Sequence, residues 1–384
     1  MENEYIDTIF EENLVDDTSK QNFPELKNLF KEMQEALNGI NELDIKKRHD
    51  KIGASTVLTQ IKKHSGEYLP DSVVNSIREN YLGNTFVVDA DLKTCKVVIK
   101  FYIMNNNPVT QTVLDIYTNV MLSWLIVAKK YETDGCLDNL KIDIYLTQEK
   151  KMLGKGNMYD ANDSSKALGS DNVNTALTYR CVDGESIIIL YRSEDMIKTF
   201  FHETFHTLNF DFTNAAKSEA KPHFNVNSPL RLYESYCETW GRTINAIYYV
   251  LLLNPRMTYS KFITYFRIVI AIEAAFSAIQ CNKILNHMNL TWNDVLNNTV
   301  YDKFKEKSNV FSYYVITAIL MANNSKFVTF CHKNGTNLLK FDESKLMPFI
   351  DFLGKAKHNV DMSGIEKAQF RDNSLRMAIF DIKN

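Results

Sequence analysis

The sequence is poor in cysteine and in the two residues that most often interrupt regular structure: its 384 residues include 6 Cys, 7 Pro and 13 Gly. The cysteines are scattered and form no C-x-x-C pair, which argues against a cysteine-based zinc site and against a disulfide framework. We therefore expect all six to be reduced thiols in a cytosol-like compartment. They are Cys95, Cys136, Cys181, Cys237, Cys281 and Cys331.

A strong excess of one charge is also missing, since the formal net charge is −3 at pH 7. This balance gives no electrostatic reason to expect nucleic acid or an anionic membrane as a partner. Residues 1–7 are acidic and lack the apolar core of a secretion signal. The longest apolar run, residues 246–253, is far shorter than the roughly 20 residues of a membrane span. The sequence thus predicts a globular protein that is neither exported through a signal peptide nor membrane-bound, and it leaves the oligomeric state open.

Three regions differ in composition and periodicity along the chain. Residues 1–66 are charged and favour helix, with a helix predicted at 25–43, and are expected to form a helical N-terminal appendage. Residues 67–210 contain β-branched runs within 84–104 that predict a hairpin, and they end in an amphipathic helix. Residues 211–384 are mostly helical by periodicity. Whether the N-terminal appendage inhibits the rest is left open.

The most informative run is Phe-Phe-His-Glu-Thr-Phe-His at residues 200–206, which contains an H-E-x-x-H motif. On a helix His202 and His206 project from one face, at the spacing that two imidazole ligands of a zinc ion require. Glu203 lies between them, where a carboxylate can take a proton from a metal-bound water without being a ligand itself. The motif therefore predicts a zinc centre.

Local signals predict where the two most important helices begin. Ser193 as N-cap, with Glu194 and Asp195 in the first turn, predicts a helix that starts just before the motif. Ser228 followed by Pro229 predicts the start of a second, long helix.

A zinc site of this kind needs a third protein ligand. A third histidine would stand six residues past His206, with a glycine three residues past it, but those positions hold Phe212 and Asn209. That version of the motif is therefore excluded. The second helix offers Glu234 and Glu238, which both border its apolar stripe.

The residues alone leave the third ligand undecided. Either Glu234 or Glu238 could bind the metal, and His223 in the intervening loop is a further alternative. In the simplest alternative, Glu238 only pairs with Arg242 at i, i+4 and Glu234 is solvated.

The motif together with Glu-Ser-Tyr-Cys-Glu at residues 234–238 resembles the zincin metallopeptidases, and among them the gluzincin-like group. The resemblance implies Glu234 as the ligand that joins His202 and His206, with Glu238 orienting a zinc-bound histidine. It also implies a zincin-like α+β fold, with a small mixed sheet packed on the active-site helix. A mostly helical C-terminal subdomain that carries the third ligand would follow.

The same resemblance extends to the residues before the motif. The run from Asn174 to Tyr179 falls where zincins place the edge strand that pairs with an extended substrate, which implies a peptide or protein substrate bound along it. Segments 172–212 and 233–240 are most similar to uncharacterised metallopeptidase-like proteins of large nucleo-cytoplasmic DNA viruses. This similarity implies a cytoplasmic or virion-associated viral protein.

The implied function is a zinc-dependent endopeptidase, a hydrolase in which a zinc-activated water attacks the peptide carbonyl and Glu203 is the general base. A further donor normally stabilises the oxyanion, and Tyr313 and Tyr314 are candidates, although two aromatic core residues are the simpler explanation. The alternative is a non-catalytic binding or structural virion protein on a zincin scaffold. The intact Glu203 argues against this alternative, because a purely structural site does not need that carboxylate.

Overall fold

The computed structural model describes residues 2–11, 14, 21–65, 68–93, 95–154, 167–179, 185–213, 217–366 and 372–382. Helices dominate these residues, and most of them follow the last strand. In chain order they are α1 Glu2–Glu11, α2 Leu26–Gly39, α3 Ala54–Ser65, α4 Asp71–Asn80, α5 Gln111–Tyr131, α6 Ser170–Val173, α7 Met196–Thr207, α8 Lys217–Ala220, α9 Leu232–Leu253, α10 Tyr259–His287, α11 Trp292–Leu296, α12 Thr317–Ala322, α13 Asn324–Asn334 and α14 Leu346–Ala356, with a π-helical turn at Phe311–Ile316.

Six strands form one mixed sheet in the order β1-β2-β3-β4-β6-β5. β1 and β2, β2 and β3, and β5 and β6 pair antiparallel, whereas β3 and β4, and β4 and β6, pair parallel. The chain is thus an α+β protein with a small mixed sheet, as predicted, and the predicted hairpin is confirmed as β2 and β3. The strands are β1 Asp44–Lys51, β2 Tyr81–Asp91, β3 Lys96–Met104, β4 Asn139–Tyr145, β5 Ala176–Thr178 and β6 Glu185–Leu190.

The sheet is covered by helices on both faces. Phe101 packs in the larger core and Tyr102, its neighbour in β3, packs in a smaller core with Val57 of α3 and Val73 of α4. Consecutive residues of a strand point to opposite faces, so this split follows directly from the pleat. Each large apolar side chain buried in this way stabilises the fold by about 1.5–3 kcal/mol.

The N-terminal region differs from the prediction of a purely helical appendage. The helix expected at 25–43 is observed as Leu26–Gly39, but Asp44–Lys51 forms the outer strand β1, which pairs with β2. Seven of the eight residues of β1 are polar, because this edge strand is largely exposed. Its sequence therefore carries no alternating apolar signal. The division of the chain at residues 66 and 210 stays a prediction.

The motif helix α7 lies between the sheet and α9, where aromatic rings clamp its apolar side. Phe205 stacks between Trp124 of α5 and Trp240 of α9, with interplanar angles of 11° and 15°. Phe201 stacks on Tyr248 of α9, with its ring centroid 5.4 Å away. The predicted apolar stripe of the motif helix is thus buried on α5 and α9, which fixes the rotation of α7 and the direction of its histidines.

The predicted start of α7 is wrong in detail. The helix begins at Met196, and Asp195 adopts a left-handed φ of 57° without capping the helix through its side chain. Its carboxylate instead accepts hydrogen bonds from Lys151 Nζ at 2.6 Å and from the Met377 backbone N–H at 2.6 Å. A fully buried ion pair has replaced the local cap, and Ser193 donates to a backbone carbonyl elsewhere.

The predicted start of α9 at Ser228 and Pro229 is also wrong. The helix begins three residues later at Leu232 and ends at Leu253 as expected. Pro229 and Arg231 stay outside the helix and line cavities beside it.

Two helices, Gln111–Tyr131 and Tyr259–His287, are long and apolar enough to cross a membrane by length and composition. The expectation that the chain has no apolar segment long enough to span a membrane is therefore corrected. Their most apolar windows are 61% and 67% buried inside the protein, as in core helices.

The expectation that all cysteines are reduced is wrong for Cys136, which is disulfide-bonded. Four others are free and buried: Cys95, Cys237, Cys281 and Cys331. Cys181 lies outside the described residues.

Candidate metal centre and cleft

Three side chains of α7 and α9 bring their ligand atoms together as predicted. His202 Nε2 and His206 Nε2 lie 3.1 Å apart. Glu234 Oε2 lies 3.2 Å from His206 Nε2 and 3.4 Å from His202 Nε2. The two histidines come from successive turns of α7, and the glutamate comes from the first turn of α9.

The donor set fits a tetrahedral zinc ion. Ligand bonds of about 2.0–2.1 Å at tetrahedral angles place neighbouring ligand atoms about 3.3 Å apart, close to the three distances observed. Two imidazole nitrogens and one carboxylate oxygen are also the ligand types that catalytic zinc uses, with a fourth position left for water or substrate. His202, His206 and Glu234 would therefore hold the metal.

Gly241 allows the two helices that carry these ligands to approach closely. A Cβ at this position would lie 3.2 Å from the Lys198 carbonyl oxygen and 3.3 Å from the His202 backbone nitrogen. Both atoms belong to the backbone of α7 and cannot rotate away. The glycine on α9 thus allows the close helix spacing at which Glu234 reaches the histidines.

A buried carboxylate stands behind each histidine. Asp211 Oδ2 lies 2.6 Å from His206 Nδ1, and Glu238 Oε2 lies 3.2 Å from His202 Nδ1. Such carboxylates fix the tautomer and the ring orientation of a metal-bound histidine and increase its basicity. Glu238 therefore lies beside the ring that it is predicted to orient, and that role stays a prediction.

Glu238 is not placed as a metal ligand, so that alternative is corrected. Its two oxygens accept hydrogen bonds from Lys198 Nζ at 3.0 and 2.9 Å, and Oε1 also accepts from Arg242 Nε at 2.9 Å. Burial opposes the charged form of Glu238, but Lys198, His202 and Arg242 outweigh it and hold its pKa well below the ordinary value. The Glu238 carboxylate is therefore ionised, and its contacts are with Lys198, Arg242 and the Nδ1 side of His202. The predicted pairing with Arg242 is present as well.

His223 lies away from the centre, which removes it as a ligand candidate. Its Nε2 is 3.6 Å from Asp351 Oδ1.

Glu203 lines the cleft beside the three ligands and is only 7% exposed. Burial raises the pKa of its carboxyl, although the charges of His202 and His206 act in the opposite direction. A carboxylate with a raised pKa is a stronger base than one in open solution. Its position and chemistry suit the proton transfer predicted for it.

Of the two tyrosines considered as donors, only Tyr313 is at the centre. Its hydroxyl donates to Glu234 Oε2 at 3.1 Å, and Asn309 Nδ2 donates to Glu234 Oε1 at 3.0 Å. Tyr314 points away and donates to the Leu375 carbonyl at 2.6 Å, so it is excluded as an oxyanion donor. Tyr313 belongs to the π-helical turn, where adjacent side chains face different directions.

The three candidate ligands open into a cleft with a volume of about 340 Å³. Edge strand β5 forms one wall, within the run 174–179 that was predicted as an edge strand. The run begins with Asn174, which is the extended C-cap of the short helix α6, and β5 itself covers only Ala176–Thr178. The described residues that line the cleft are Tyr68, Asn174, Ala176, Leu177, Thr178, His202, Glu203, His206, Thr213, Arg231, Tyr233, Glu234, Ser308, Asn309 and Tyr313.

A second group of ligand-type side chains overlaps the first, formed by His206, Asp211 and Cys237. Cys237 Sγ lies 3.6 Å from His206 Nδ1, on the buried side of the ring. Burial raises the pKa of the Cys237 thiol far above its ordinary value, so the thiolate that zinc requires is disfavoured. The group with Glu234 is the better site.

Asp211 and Lys198 are site residues that the sequence analysis missed. Asp211 follows α7 closely, because Asn209 takes a left-handed φ of 52° and turns the chain back towards His206. An asparagine just past a helix followed by an acidic residue is the signal that could have found it. Lys198 carried no such signal, because its partner Glu238 lies 40 positions away.

Comparisons with protein-family models, with curated proteins and with solved structures gave no match. The functional argument therefore depends on the geometry of the centre and its cleft.

Proposed function

We propose that this protein is a zinc-dependent endopeptidase with a zincin-like fold, in which His202, His206 and Glu234 hold the metal and Glu203 is the general base. The observation that carries the proposal is the triangle of three ligand atoms, 3.1–3.4 Å apart, with a buried carboxylate beside it. A structural zinc site is normally closed by four protein ligands. Here three ligands face a cleft, which favours catalysis.

The protein residues have separate parts in the reaction. When bound, zinc lowers the pKa of water and polarises a carbonyl group. Glu203 takes the proton of the attacking water and returns it to the leaving amine, and its raised pKa suits both transfers. Asp211 and Glu238 hold the imidazoles of His206 and His202 in the tautomer that leaves Nε2 free for the metal.

Tyr313 is the best candidate for the additional donor. Its hydroxyl is beside Glu234 and lines the cleft, so it can stay on the ligand carboxylate or turn to an oxyanion that develops there. Burial raises the pKa of the Tyr313 hydroxyl well above its ordinary value, which keeps it protonated and able to donate.

The substrate is proposed to lie along β5. This strand is last in the sheet order and pairs antiparallel with β6 through Ala176, Leu177 and Thr178. No described strand pairs with its outer edge, and an extended peptide binds such an edge by adding a strand.

The proposal is tested by measuring zinc content and cleavage of a peptide library for wild type, Glu203→Gln and the control Glu79→Gln. Glu79 is an exposed glutamate of α4, remote in sequence from the centre. We expect about one zinc per chain in all three proteins, and cleavage about 10² to 10⁴ times slower for Glu203→Gln alone.

Three results would contradict the proposal. Wild type that takes up no zinc would refute the metal centre. Zinc-loaded wild type that cleaves no peptide would favour the non-catalytic scaffold instead, and unchanged cleavage by Glu203→Gln would refute its role as base.

A further inference from the structure

Arg231 gives the cleft a positive charge that the metal centre does not use. It precedes α9 and lies one turn from Glu234, whose backbone N–H donates to the Arg231 carbonyl at 3.1 Å. It is half-buried and is the only lysine or arginine among the described residues that line the cleft.

Two buried lysines of the same region have carboxylate partners. Lys198 is bound to both oxygens of Glu238, and Lys151 lies 2.6 Å from Asp195. Arg231, by contrast, has no ion pair with any residue that the structure describes.

Glu306, an acidic residue whose carboxyl Arg231 influences electrostatically, is a poor partner. Glu306 Oε2 already accepts the Phe311 backbone N–H at 2.7 Å. Burial raises the pKa of the Glu306 carboxyl to about 7, so this group is partly protonated at neutral pH. The guanidinium therefore keeps most of its capacity for an incoming anion.

We propose that Arg231 selects peptides that present a carboxylate to the cleft, either an Asp or Glu side chain or the peptide's own C-terminus. The inference depends on the proposed peptidase function and adds a substrate class to it. Guanidinium and carboxylate groups match in shape and form two parallel hydrogen bonds. An extended peptide advances about 3.3 Å per residue, so a carboxylate bound in the same cavity as the metal ligands would be close in sequence to the cleaved bond.

The expected preference is moderate. A charge-assisted hydrogen bond at a half-buried site is stronger than a neutral one, and the carboxylate should be favoured over its amide about tenfold in kcat/KM. The preference should decline with added salt, because half-exposed charges are screened.

The test is a matched peptide series in which one position at a time, on either side of the cleaved bond, carries Glu, Gln or Lys. Each peptide is prepared with a free and with an amidated C-terminus, which separates a side-chain carboxylate from a terminal one. The proteins are wild type, Arg231→Gln, Arg231→Glu and the control Lys307→Gln. Lys307 is an exposed cation outside the cleft that holds the metal ligands.

We expect wild type and Lys307→Gln to prefer a carboxylate about tenfold at one position or at the C-terminus. Arg231→Gln should reduce the Glu-to-Gln ratio of kcat/KM to near one, and Arg231→Glu should favour Lys. Cleavage by wild type without any charge preference, or a preference that survives in Arg231→Gln, would overturn this inference alone. If zinc-loaded wild type cleaves none of the peptides, the peptidase proposal fails and this inference fails with it.

Discussion

Replacing Asp211 by asparagine should weaken zinc binding without altering any of the proposed ligands. The carboxylate is fully buried, and its Oδ2 lies 2.6 Å from His206 Nδ1. Asparagine keeps the size of the side chain and one acceptor oxygen, but it removes the negative charge that makes the imidazole a better ligand.

The size of the effect follows from the type of hydrogen bond lost. A bond to a charged group contributes about 1.5–3 kcal/mol and a neutral one about 0.5–1.5 kcal/mol, so the difference is about 1–2 kcal/mol. This corresponds to a zinc Kd that rises about 5- to 30-fold, since 1.4 kcal/mol is a factor of ten.

The pH dependence of this effect has a definite sign. Burial opposes the charged form of His206, but Cys237, Asp211 and Glu234 outweigh it and raise the pKa of the metal-free imidazole well above its ordinary value. Asp211 therefore also favours the proton that competes with zinc. The loss of affinity in Asp211→Asn should be largest at alkaline pH and smaller at acidic pH.

The assay is competition for zinc against a chelating dye, with Asp351→Asn as the matched control. Asp351 lies 3.6 Å from His223 in a longer and more exposed aspartate–histidine contact away from the centre, so its replacement should leave the zinc Kd unchanged. Equal zinc affinity of Asp211→Asn and Asp351→Asn would refute the role given to Asp211, provided that circular dichroism shows both to be folded.

Three further changes test the surroundings of the centre. Lys198→Met should lower the free energy of unfolding, measured in urea, by about 3 kcal/mol, because it removes the cation bound to both oxygens of buried Glu238. A loss below about 1 kcal/mol would mean that this pair contributes no more than a surface ion pair. Gly241→Ala should lower the free energy of unfolding, measured by thermal unfolding, by about 1–3 kcal/mol and should also weaken zinc binding, because the added Cβ would press on the backbone of α7 at His202. If the variant keeps wild-type stability and zinc affinity, the two helices can move apart without cost. Burial raises the pKa of Glu273 from 4.5 to about 7. Between pH 4.5 and about 7 the folded protein therefore retains a proton on Glu273 that the unfolded chain has lost. The stability of the folded protein falls as the pH rises through this range. Glu273→Gln should therefore gain about 3 kcal/mol relative to wild type between acidic and neutral pH, and a pH-independent difference would contradict the assignment.

The three side chains of the candidate metal centre could be predicted because most of their geometry is local. His202 and His206 are brought together by the helix period alone, and the apolar stripe through Phe201 and Phe205 fixes the direction in which they point. Glu234 is distant in sequence, but few carboxylates border the apolar stripe of the following helix. The sequence could not choose between Glu234 and Glu238, because the choice depends on Lys198. This residue binds both carboxylate oxygens of Glu238 but lies 40 positions away from it in the sequence.

The helix starts were mispredicted because tertiary contacts override local capping. Ser193 was predicted as the N-cap with Asp195 in the first turn of α7, yet the Asp195 carboxylate binds Lys151 and the Met377 backbone N–H. Both partners come from distant segments, and a buried lysine is rare enough that sequence patterns do not anticipate it.

The strand β1 was missed for a different reason. Its eight residues include one apolar side chain, Ile45, so hydrophobic alternation is absent. The backbone of Asp44–Lys51 is held by pairing with β2 and not by burial of its side chains. Edge strands of this kind are specified by their neighbour in the sheet, which no local pattern reveals.

X-ray absorption spectroscopy at the zinc edge of the wild-type protein tests the central claim most directly. The site formed by His202, His206 and Glu234 predicts a first shell of nitrogen and oxygen ligands only, at about 2.0–2.1 Å, with the scattering pattern of two imidazoles. A sulfur ligand at about 2.3 Å would place the metal at Cys237 instead, and a protein that retains no zinc would contradict the proposed centre altogether.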